Sequence, residues 1–263
     1  MRMGRKLAAS ILLLSVQLGV AGCSTSPASD EALIPPQRHF TSQAEQDTAV
    51  QEFYVYDPAQ TTNKNIYKFN AKLDEYVFLP VVDAYKFVTP EFFRRGVSNF
   101  FANIGEVTNF TNALLQVKPV TASQTLARFV INSTAGLAGT SDVATDWGIA
   151  RQPEDFGKTL GYWGVDSGAY VVLPALGPSN IRDTVGKIVD YATLYFIIPA
   201  SVQDTVAYDV VAYGLQPIDL RYTNRFRYFS TGSPFEYELV RYVVTQTRNQ
   251  EIENERTSAE FHF

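Results

Sequence analysis

Residues 89–104, TPEFFRRGVSNFFANI, contain the pattern that decides the fold. Thr89 and Pro90 are typical of a helix start, because a threonine side chain caps free backbone N–H groups and proline fits the first helical position. The apolar side chains that follow recur at helical spacing; they are Phe93, Val97, Phe100, Phe101 and Ile104. The stretch therefore predicts an amphipathic α-helix.

Further amphipathic helices are predicted on both sides of this stretch. The segment before it ends or kinks at Pro80, which cannot donate a helical hydrogen bond. Thr121 and Gln124 have the spacing of a capping box, and Ser233 with Glu236 repeats that signal. The apolar stripes are Ile66, Phe69, Leu73, Tyr76 and Val77; Leu126, Phe129 and Val130; Ile181, Val185, Ile188 and Val189; and Leu239, Tyr242 and Val243. The sequence therefore predicts a mainly α domain.

A glycine-rich middle interrupts these helices. Tyr162-Trp163 and the run YVVL at 170–173 are short β-prone segments on either side of a turn. Each glycine costs about 1 kcal/mol in a helix interior, so we expect a loop or hairpin insertion here instead of long helices. The glycines concerned are Gly136, Gly139, Gly148, Gly157, Gly161, Gly164, Gly168 and Gly177.

Residues 1–22 have the features of a lipoprotein signal peptide. A basic start precedes an apolar run at 7–20, which is shorter than the roughly 20 residues of a permanent membrane span. The chain's only cysteine, Cys23, then follows two small residues, as in a lipobox, where its sulfur takes a diacylglycerol. An ordinary signal peptide with an accidental cysteine is the alternative. Ser24 takes the place of the aspartate that retains such lipoproteins in the inner membrane, which favours the outer membrane.

The charge and the distribution of apolar residues limit the possible partners and the kind of membrane contact. The net charge is -5 and no block of Lys or Arg occurs, so we expect no nucleic-acid partner. No segment after Cys23 is apolar enough for a transmembrane helix, and deep lipid contact would have to come from amphipathic helices packed together. Residues 23–51, rich in Ser, Pro and acidic residues, predict a flexible tether.

The sequence contains no recognisable constellation for catalysis or metal binding. His39 lies in the predicted tether and His262 is next to last, so neither suits a buried base. Glu154 and Asp155 could pair as in glycoside hydrolysis, but adjacent acids beside glycines more often form a solvated loop. Residues 155–157 spell a kinase tripeptide without its companion motifs. We therefore expect a protein that is not an enzyme and uses no cofactor or metal.

A dense series of motifs lies between residues 57 and 190. The most specific is EDFGKTLG at 154–161, followed by WGV at 163–165. The others include Asp57-Pro58, Ile66-Tyr67, Phe69-Asn70, Arg95-Gly96-Val97-Ser98-Asn99-Phe100-Phe101, Arg128-Phe129, Asn132-Ser133-Thr134, Leu173-Pro174, Gly177-Pro178-Ser179 and Arg182-Asp183. In this order they resemble the MlaA (VacJ) lipoproteins of Gram-negative bacteria. Val107 and Ala169 depart from the family by replacing usual prolines, and the likeness thins beyond 190.

This resemblance implies a single ring-like domain of amphipathic helices, placed at residues 52–247. It implies phospholipid as cargo, passed inward from the outer leaflet of the outer membrane through an amphipathic channel to a soluble periplasmic carrier like MlaC. It also implies a trimeric porin as partner. Two other functions stay open: a structural lipoprotein that only binds the porin, and a periplasmic cell-envelope hydrolase. Residues 248–263 are predicted to form a charged tail that frays or stays solvated.

The glycine-rich stretch at 156–168 is the candidate site. Its glycines leave backbone freedom at four nearby points, and its apolar side chains give it a body that can shift against helices around a lipid passage. A passive surface turn is the alternative. The residues assigned to the passage are Phe156, Gly157, Leu160, Gly161, Tyr162, Trp163, Gly164 and Gly168.

The lipobox generates a direct test. We expect Cys23→Ala to leave the precursor without lipid and uncleaved by the lipoprotein signal peptidase, because no other thiol can accept the diacylglycerol, while the helical domain still folds. Mass spectrometry of the mature amino end measures this. An unmodified thiol at Cys23 in the wild-type protein would contradict the prediction.

Overall fold

A computed structural model describes residues 54–230 and 232–260, and it is mainly helical with one small sheet. The predicted mainly α fold is therefore confirmed. The predicted signal peptide, Cys23 and the tether lie outside the described residues. So does His262.

The described elements follow one another with short connections. The helices are α1 (Gln60–Leu73), α2 (Leu79–Val88), α3 (Glu91–Leu115), α4 (Pro119–Thr134), α5 (Val143–Asp146), α6 (Phe156–Tyr162), α7 (Ile181–Ile197), α8 (Ala200–Gln203), α9 (Val206–Asp209), α10 (Gln216–Thr223) and α11 (Glu236–Glu260). Two π-helical segments, π1 (Asp74–Phe78) and π2 (Val210–Leu215), join α1 to α2 and α9 to α10. The strands are β1 (Tyr170–Leu173) and β2 (Gly177–Asn180).

The helix starts differ from the sequence prediction in detail. Pro80 does not end the first helix; it stands in the first turn of α2, directly after the wider π1 turn, where its missing N–H is tolerated. Thr89 closes α2 by donating its hydroxyl to the carbonyl of Tyr85, and α3 begins at Glu91. Thr121 lies inside α4, which begins at Pro119, so the predicted capping box is wrong.

The glycine-rich middle contains one hairpin and one unpredicted helix. Strands β1 and β2 are antiparallel, with Tyr170 opposite Asn180 and Leu173 opposite Gly177. The predicted β character of Tyr162-Trp163 is wrong, because Tyr162 ends α6 and Trp163 follows it directly. Asp155 caps α6 by accepting a hydrogen bond from the Lys158 N–H at 2.9 Å, which outweighs the low helix propensity of the glycines.

Two asparagine side chains on α1 take the place of a third strand beside β1. The Asn63 amide donates to the Tyr170 carbonyl at 3.1 Å and accepts from the Val172 N–H at 3.0 Å. Further along the same helix, the Asn70 amide donates to the Leu173 carbonyl at 2.9 Å and accepts from the N–H of Ala175 at 2.8 Å. The free edge of the hairpin is therefore satisfied by side chains.

A small aromatic core lies between α1, the hairpin and α11. Tyr67 is its centre: edge-to-face ring contacts join it to Tyr228, Phe229 and Tyr237 at centroid distances of 4.9, 5.7 and 5.7 Å. The Tyr67 hydroxyl donates to Glu236 Oε1 at 2.8 Å. Burial and this carboxylate raise the pKa of Tyr67 well above its usual range. Edge-to-face ring pairs of this kind each contribute about 0.5–1.5 kcal/mol to stability beyond the effect of the apolar area that they bury.

The C-terminal segment corrects the prediction that residues beyond 247 fray or stay solvated. α11 continues to Glu260, and Ile252 is buried against Gly161 of α6. Glu255 accepts from Lys118 at 2.9 Å and from Lys158 at 3.0 Å. Glu255 is thus a counter-charge for lysines far earlier in the chain, which a sequence pattern does not reveal.

Within the described residues, none of the helices combines the length and the apolar character that crossing a membrane requires.

The asparagine contacts of α1 generate a stability prediction. Asn63→Leu leaves the Tyr170 carbonyl and the Val172 N–H buried without partners, and we expect a loss of about 2–3 kcal/mol. Asn65→Leu, on the exposed face of the same helix, is the matched control and should change stability by less than about 0.5 kcal/mol. Denaturant unfolding followed by circular dichroism measures both variants. Equal stability of the two variants would contradict a stabilising role of the Asn63 hydrogen bonds to the hairpin.

Candidate functional site

Beside the small aromatic core, several helices bury polar side chains and expose large apolar ones. On α1 and π1 the buried residues include Asn63, Asn70 and Asp74, whereas Phe69 and Tyr76 are exposed. The same inversion holds on other helices: the buried residues include Asn103, Glu106, Asn109, Asn112, Thr125, Arg128 and Asn132, and the exposed ones Phe92, Phe93, Leu114, Leu115, Leu126, Val130, Ile181, Val185, Ile188, Leu239 and Val243. Ordinary water-soluble domains show the opposite distribution.

Arg128 is the largest of the fully buried side chains of this interior. The residue is 2% exposed, and its guanidinium donates to Glu106 Oε1 at 2.8 Å and to the two oxygens of Asp142 at 2.9 and 3.1 Å. Burial alone would raise the pKa of Asp142, but hydrogen bonds from Thr145, Asn132 and Arg128 outweigh it and hold that pKa below its ordinary value. One cation therefore joins α3, α4 and the start of α5.

A second polar network connects α3 to α6 and α7. Gln116 donates to Glu154 and to the Thr159 hydroxyl, both at 3.0 Å. Thr159 donates in turn to Asn112, whose amide donates to Asp190 at 2.8 Å. Burial raises the pKa of Asp190, although the hydrogen bonds from the Phe156 N–H and from Asn112 oppose the shift. The interior is thus a connected set of side chains in which most polar atoms have partners.

Glu154 and Asp155 serve this packing. Glu154 is buried and accepts from Lys118 at 3.2 Å, so the expected solvated loop is wrong at this residue. Asp155 caps α6 and pairs with Arg248 of α11, which also donates to Asp183 at 2.9 Å. Burial would raise the pKa of Asp155, but Arg248 outweighs it and the pKa is lowered. Among the described residues, no group of His, Cys, Asp and Glu could hold a metal ion.

The candidate glycines divide into two kinds. Gly157 and Gly161 lie inside α6 and are buried where other chain segments approach closely, so they serve packing. A Cβ on Gly186 of α7 would lie 2.3 Å from the backbone nitrogen of Gly157. Gly164 and Gly168 have φ angles of 87° and 68°, which favour glycine, and they form the turns that follow α6.

The aromatic members of the candidate stretch lie at the junction of α6 with the α3–α4 corner. Trp163 is 61% exposed, and its indole N–H donates to the Leu115 carbonyl at 3.0 Å. The Tyr162 ring contacts Trp163 edge-to-face at 5.5 Å, and the Lys118 ammonium lies 5.3 Å from its centroid. Phe156 and Leu160 are half-buried. The structure thus brings the predicted residues 156–164 together around one short helix.

A cavity of about 720 Å³ lies elsewhere, where the first turns of α3 face residues 140–146 and π2. None of the residues assigned to the passage from sequence line it. Its lining combines an apolar wall with polar and charged groups: Phe92, Phe93, Val97, Phe100, Val211 and Leu215 on one hand, and Arg95, Asn99, Thr140, Ser141, Asp142 and Asp146 on the other, with Gly96. The α3 residues belong to the amphipathic stretch that sequence analysis singled out, but the Val211 and Leu215 side had no sequence signal.

This fold and cavity define a helical protein with an apolar exterior, a hydrogen-bonded polar interior and an amphipathic cavity. The sequence profile of the MlaA lipoprotein family matches residues 55–251. The chain therefore belongs to the MlaA lipoprotein family.

Individual relatives agree with this assignment. The intermembrane phospholipid transport system lipoprotein MlaA of Escherichia coli is 37% identical over 141 residues, 51% of this chain and 55% of that protein. An uncharacterized protein of Rickettsia prowazekii is 34% identical over 145 residues, 55% of this chain and 57% of that protein. The aligned region thus spans little more than half the length of these relatives.

A solved structure matches over a larger share. It comes from work on the structural basis for maintenance of bacterial outer membrane lipid asymmetry, and its TM-score is 0.60 at 29% identity. The match covers 74% of this chain and 98% of the solved one. The helical architecture is therefore shared with a protein of known structure.

The close contact of α6 with α7 generates a prediction. Gly186→Ala places a methyl group 2.3 Å from the backbone nitrogen of Gly157 and 2.7 Å from its Cα, which forces the helices apart. We expect a loss of about 1–3 kcal/mol. Gly214→Ala, in π2 with nothing within 4 Å of the added Cβ, is the control and should be neutral or stabilising. Thermal unfolding midpoints in detergent compare the variants, and an unchanged midpoint for Gly186→Ala would exclude the contact.

Proposed function

We propose that this protein is an outer-membrane lipoprotein that maintains lipid asymmetry by moving phospholipid from the outer leaflet towards the periplasm. The observation that carries the proposal is the inverted distribution of side chains, with charges and amides inside and apolar residues outside. The names of the relatives, an intermembrane phospholipid transport lipoprotein and a protein of outer-membrane lipid asymmetry, support the same function.

The inverted surface suits a domain surrounded by lipid chains. A lipid-exposed face cannot offer hydrogen bonds, so apolar side chains are stable there and polar groups must be paired within the protein. The Arg128–Glu106–Asp142 cluster and the Asn112–Asp190 contact fulfil that requirement. Polar residues inside such a domain give a charged headgroup favourable surroundings while its acyl chains stay with apolar side chains.

The cavity is the place where a phospholipid meets both kinds of surface. Its volume of about 720 Å³ falls in the range of small-ligand sites. It accommodates a headgroup with the adjoining part of the acyl chains, and the rest of the lipid extends along the exposed apolar side chains of α3. Passage through an amphipathic channel is the mechanism that we assign to this arrangement.

Anchoring and partners complete the proposal. The Cys23 lipobox supports attachment to the outer membrane through a diacylglycerol, whose two acyl chains make a stable anchor. A soluble periplasmic carrier like MlaC would receive the phospholipid, and a trimeric porin would hold the lipoprotein in place; both rest on the family resemblance. The stretch 156–168 would move against the helices beside the passage, with Gly164 and Gly168 as its turning points.

Deletion of the gene tests the function. Outer-leaflet phosphatidylethanolamine, labelled on intact cells with a membrane-impermeant amine reagent, should rise in the deletion strain and return to normal with the wild-type gene. Lipid recovered from purified protein after long incubation with vesicles should be chemically intact. Unchanged labelling would overturn the proposal, and hydrolysed lipid would indicate an enzyme instead.

A comparison of the two tryptophans tests in the same assay whether the stretch 156–168 has a role that other exposed positions lack. Trp163 and Trp147 are 61% and 64% exposed, so replacing either by alanine removes a similar surface group. We expect Trp163→Ala to raise outer-leaflet labelling towards the deletion level and Trp147→Ala to leave it near wild type, at matched protein abundance. Equal labelling in the two variants would contradict a specific role of the stretch 156–168 in transport.

A further inference from the structure

The cavity beside α3 carries accessible charges of both signs. Arg95 contributes a guanidinium whose side chain is 69% exposed, and its only ion pair among the described residues is with Glu91 at 3.9 Å, on the same helix. A solvent-accessible pair at that distance contributes little. The Arg95 guanidinium is therefore available to an anionic ligand group such as a phosphate, which it can bind through two N–H donors.

The two carboxylates of the cavity differ in availability. Asp142 is occupied by Arg128, Asn132 and Thr145, and its charge is compensated inside the protein. Asp146 lies in the first turn of α5, is exposed, and has no hydrogen-bond or ion-pair partner for its carboxylate within residues 54–230 and 232–260. Asp146 is thus the unpaired anion of the cavity, and Arg95, with its one weak pair to Glu91, is the accessible cation.

A zwitterionic lipid matches this pattern in charge and in polarity. Its phosphate is anionic and its amine is cationic, and the two are joined by a short linker. Its acyl chains require apolar contact, which Phe92, Phe93 and Val97 provide from α3 and Val211 and Leu215 from π2. An anionic headgroup without an amine would satisfy Arg95 but would offer the Asp146 carboxylate no counter-charge.

We infer that this cavity selects phospholipids with an ammonium headgroup, such as phosphatidylethanolamine, over anionic ones, through Arg95 on the phosphate and Asp146 on the amine. The inference rests on the proposed lipid-transport function and adds a headgroup preference to it. A partly exposed charge pair contributes up to about 1 kcal/mol, so the expected preference is between about twofold and fivefold.

The test measures the lipid that the full-length lipoprotein takes up. Protein in detergent is exchanged against vesicles of equal parts phosphatidylethanolamine and phosphatidylglycerol and re-isolated, and its bound lipids are quantified by mass spectrometry. Wild type should carry the ethanolamine lipid at about two- to fivefold excess. Asp146→Asn should bring the ratio close to one with total bound lipid nearly unchanged, and Asp146→Lys should invert it.

A matched acidic residue and the arginine complete the design. Asp83→Asn removes a 72% exposed carboxylate outside the cavity and should keep the wild-type ratio. Arg95→Gln should lower total bound lipid of both kinds, because both lipids carry the phosphate. Circular dichroism confirms that each variant is folded before the comparison.

The outcomes separate the two claims. Lipid bound without headgroup preference in wild type, a preference for the anionic lipid, or an unchanged ratio in Asp146→Asn would overturn the headgroup inference and leave the transport function standing. Absence of any bound lipid in wild type would instead contradict the transport function itself. Loss of the preference in Asp83→Asn to the same extent as in Asp146→Asn would make it a general effect of surface charge and also overturn the inference.

Discussion

The burial of the Arg128 guanidinium is the constraint on which the arrangement of the first half of the domain depends. A buried cation is tolerated only when carboxylates and hydrogen-bond acceptors replace its water, and here Glu106 of α3 and Asp142 before α5 supply them. Removing one partner from such a cluster typically costs about 3–5 kcal/mol, well above the value of a surface pair. Three segments must therefore keep fixed positions, and the cavity wall formed by α3 and residues 140–146 is held with them.

The local sequence pattern predicted which segments are helices or strands better than it predicted which face of each helix is buried. Helical spacing identified α1, α3, α4, α7 and α11, and the run YVVL identified β1. The spacing defines an apolar face but does not say whether that face meets the protein interior or the exterior. Phe69 and Tyr76, which belong to a predicted apolar stripe, lie on the exterior. α6 was not predicted, because its glycines argue against a helix. The helix forms because its Asp155 cap and its contacts with α7 and α11 outweigh the low helix propensity of those glycines.

The site was predictable only where its residues share one helix. Phe93, Val97 and Phe100 belong to a single sequence pattern and line the cavity together. Asp146, Val211 and Leu215 come from segments distant along the chain, and their meeting depends on tertiary packing that no local periodicity encodes. The stretch 156–168 was chosen as the candidate site because its motifs are dense and it contains four glycines. Two of these glycines, Gly157 and Gly161, serve close packing, and composition alone does not distinguish that role from mobility.

The contacts of α11 tie the completion of folding to biosynthesis. Arg248 and Glu255 compensate Asp155, Lys118 and Lys158, partners that lie between 93 and 137 residues earlier in the chain. Contacts of such long sequence separation form late, because a long loop must close first. During synthesis the earlier helices therefore form before these partners are available, and the contacts stay incomplete until residues near 255 have followed. A chain stopped short of α11 would keep a hydrated, open arrangement around α6 and would be exposed to proteases, which gives the cell a physical means to recognise incomplete copies.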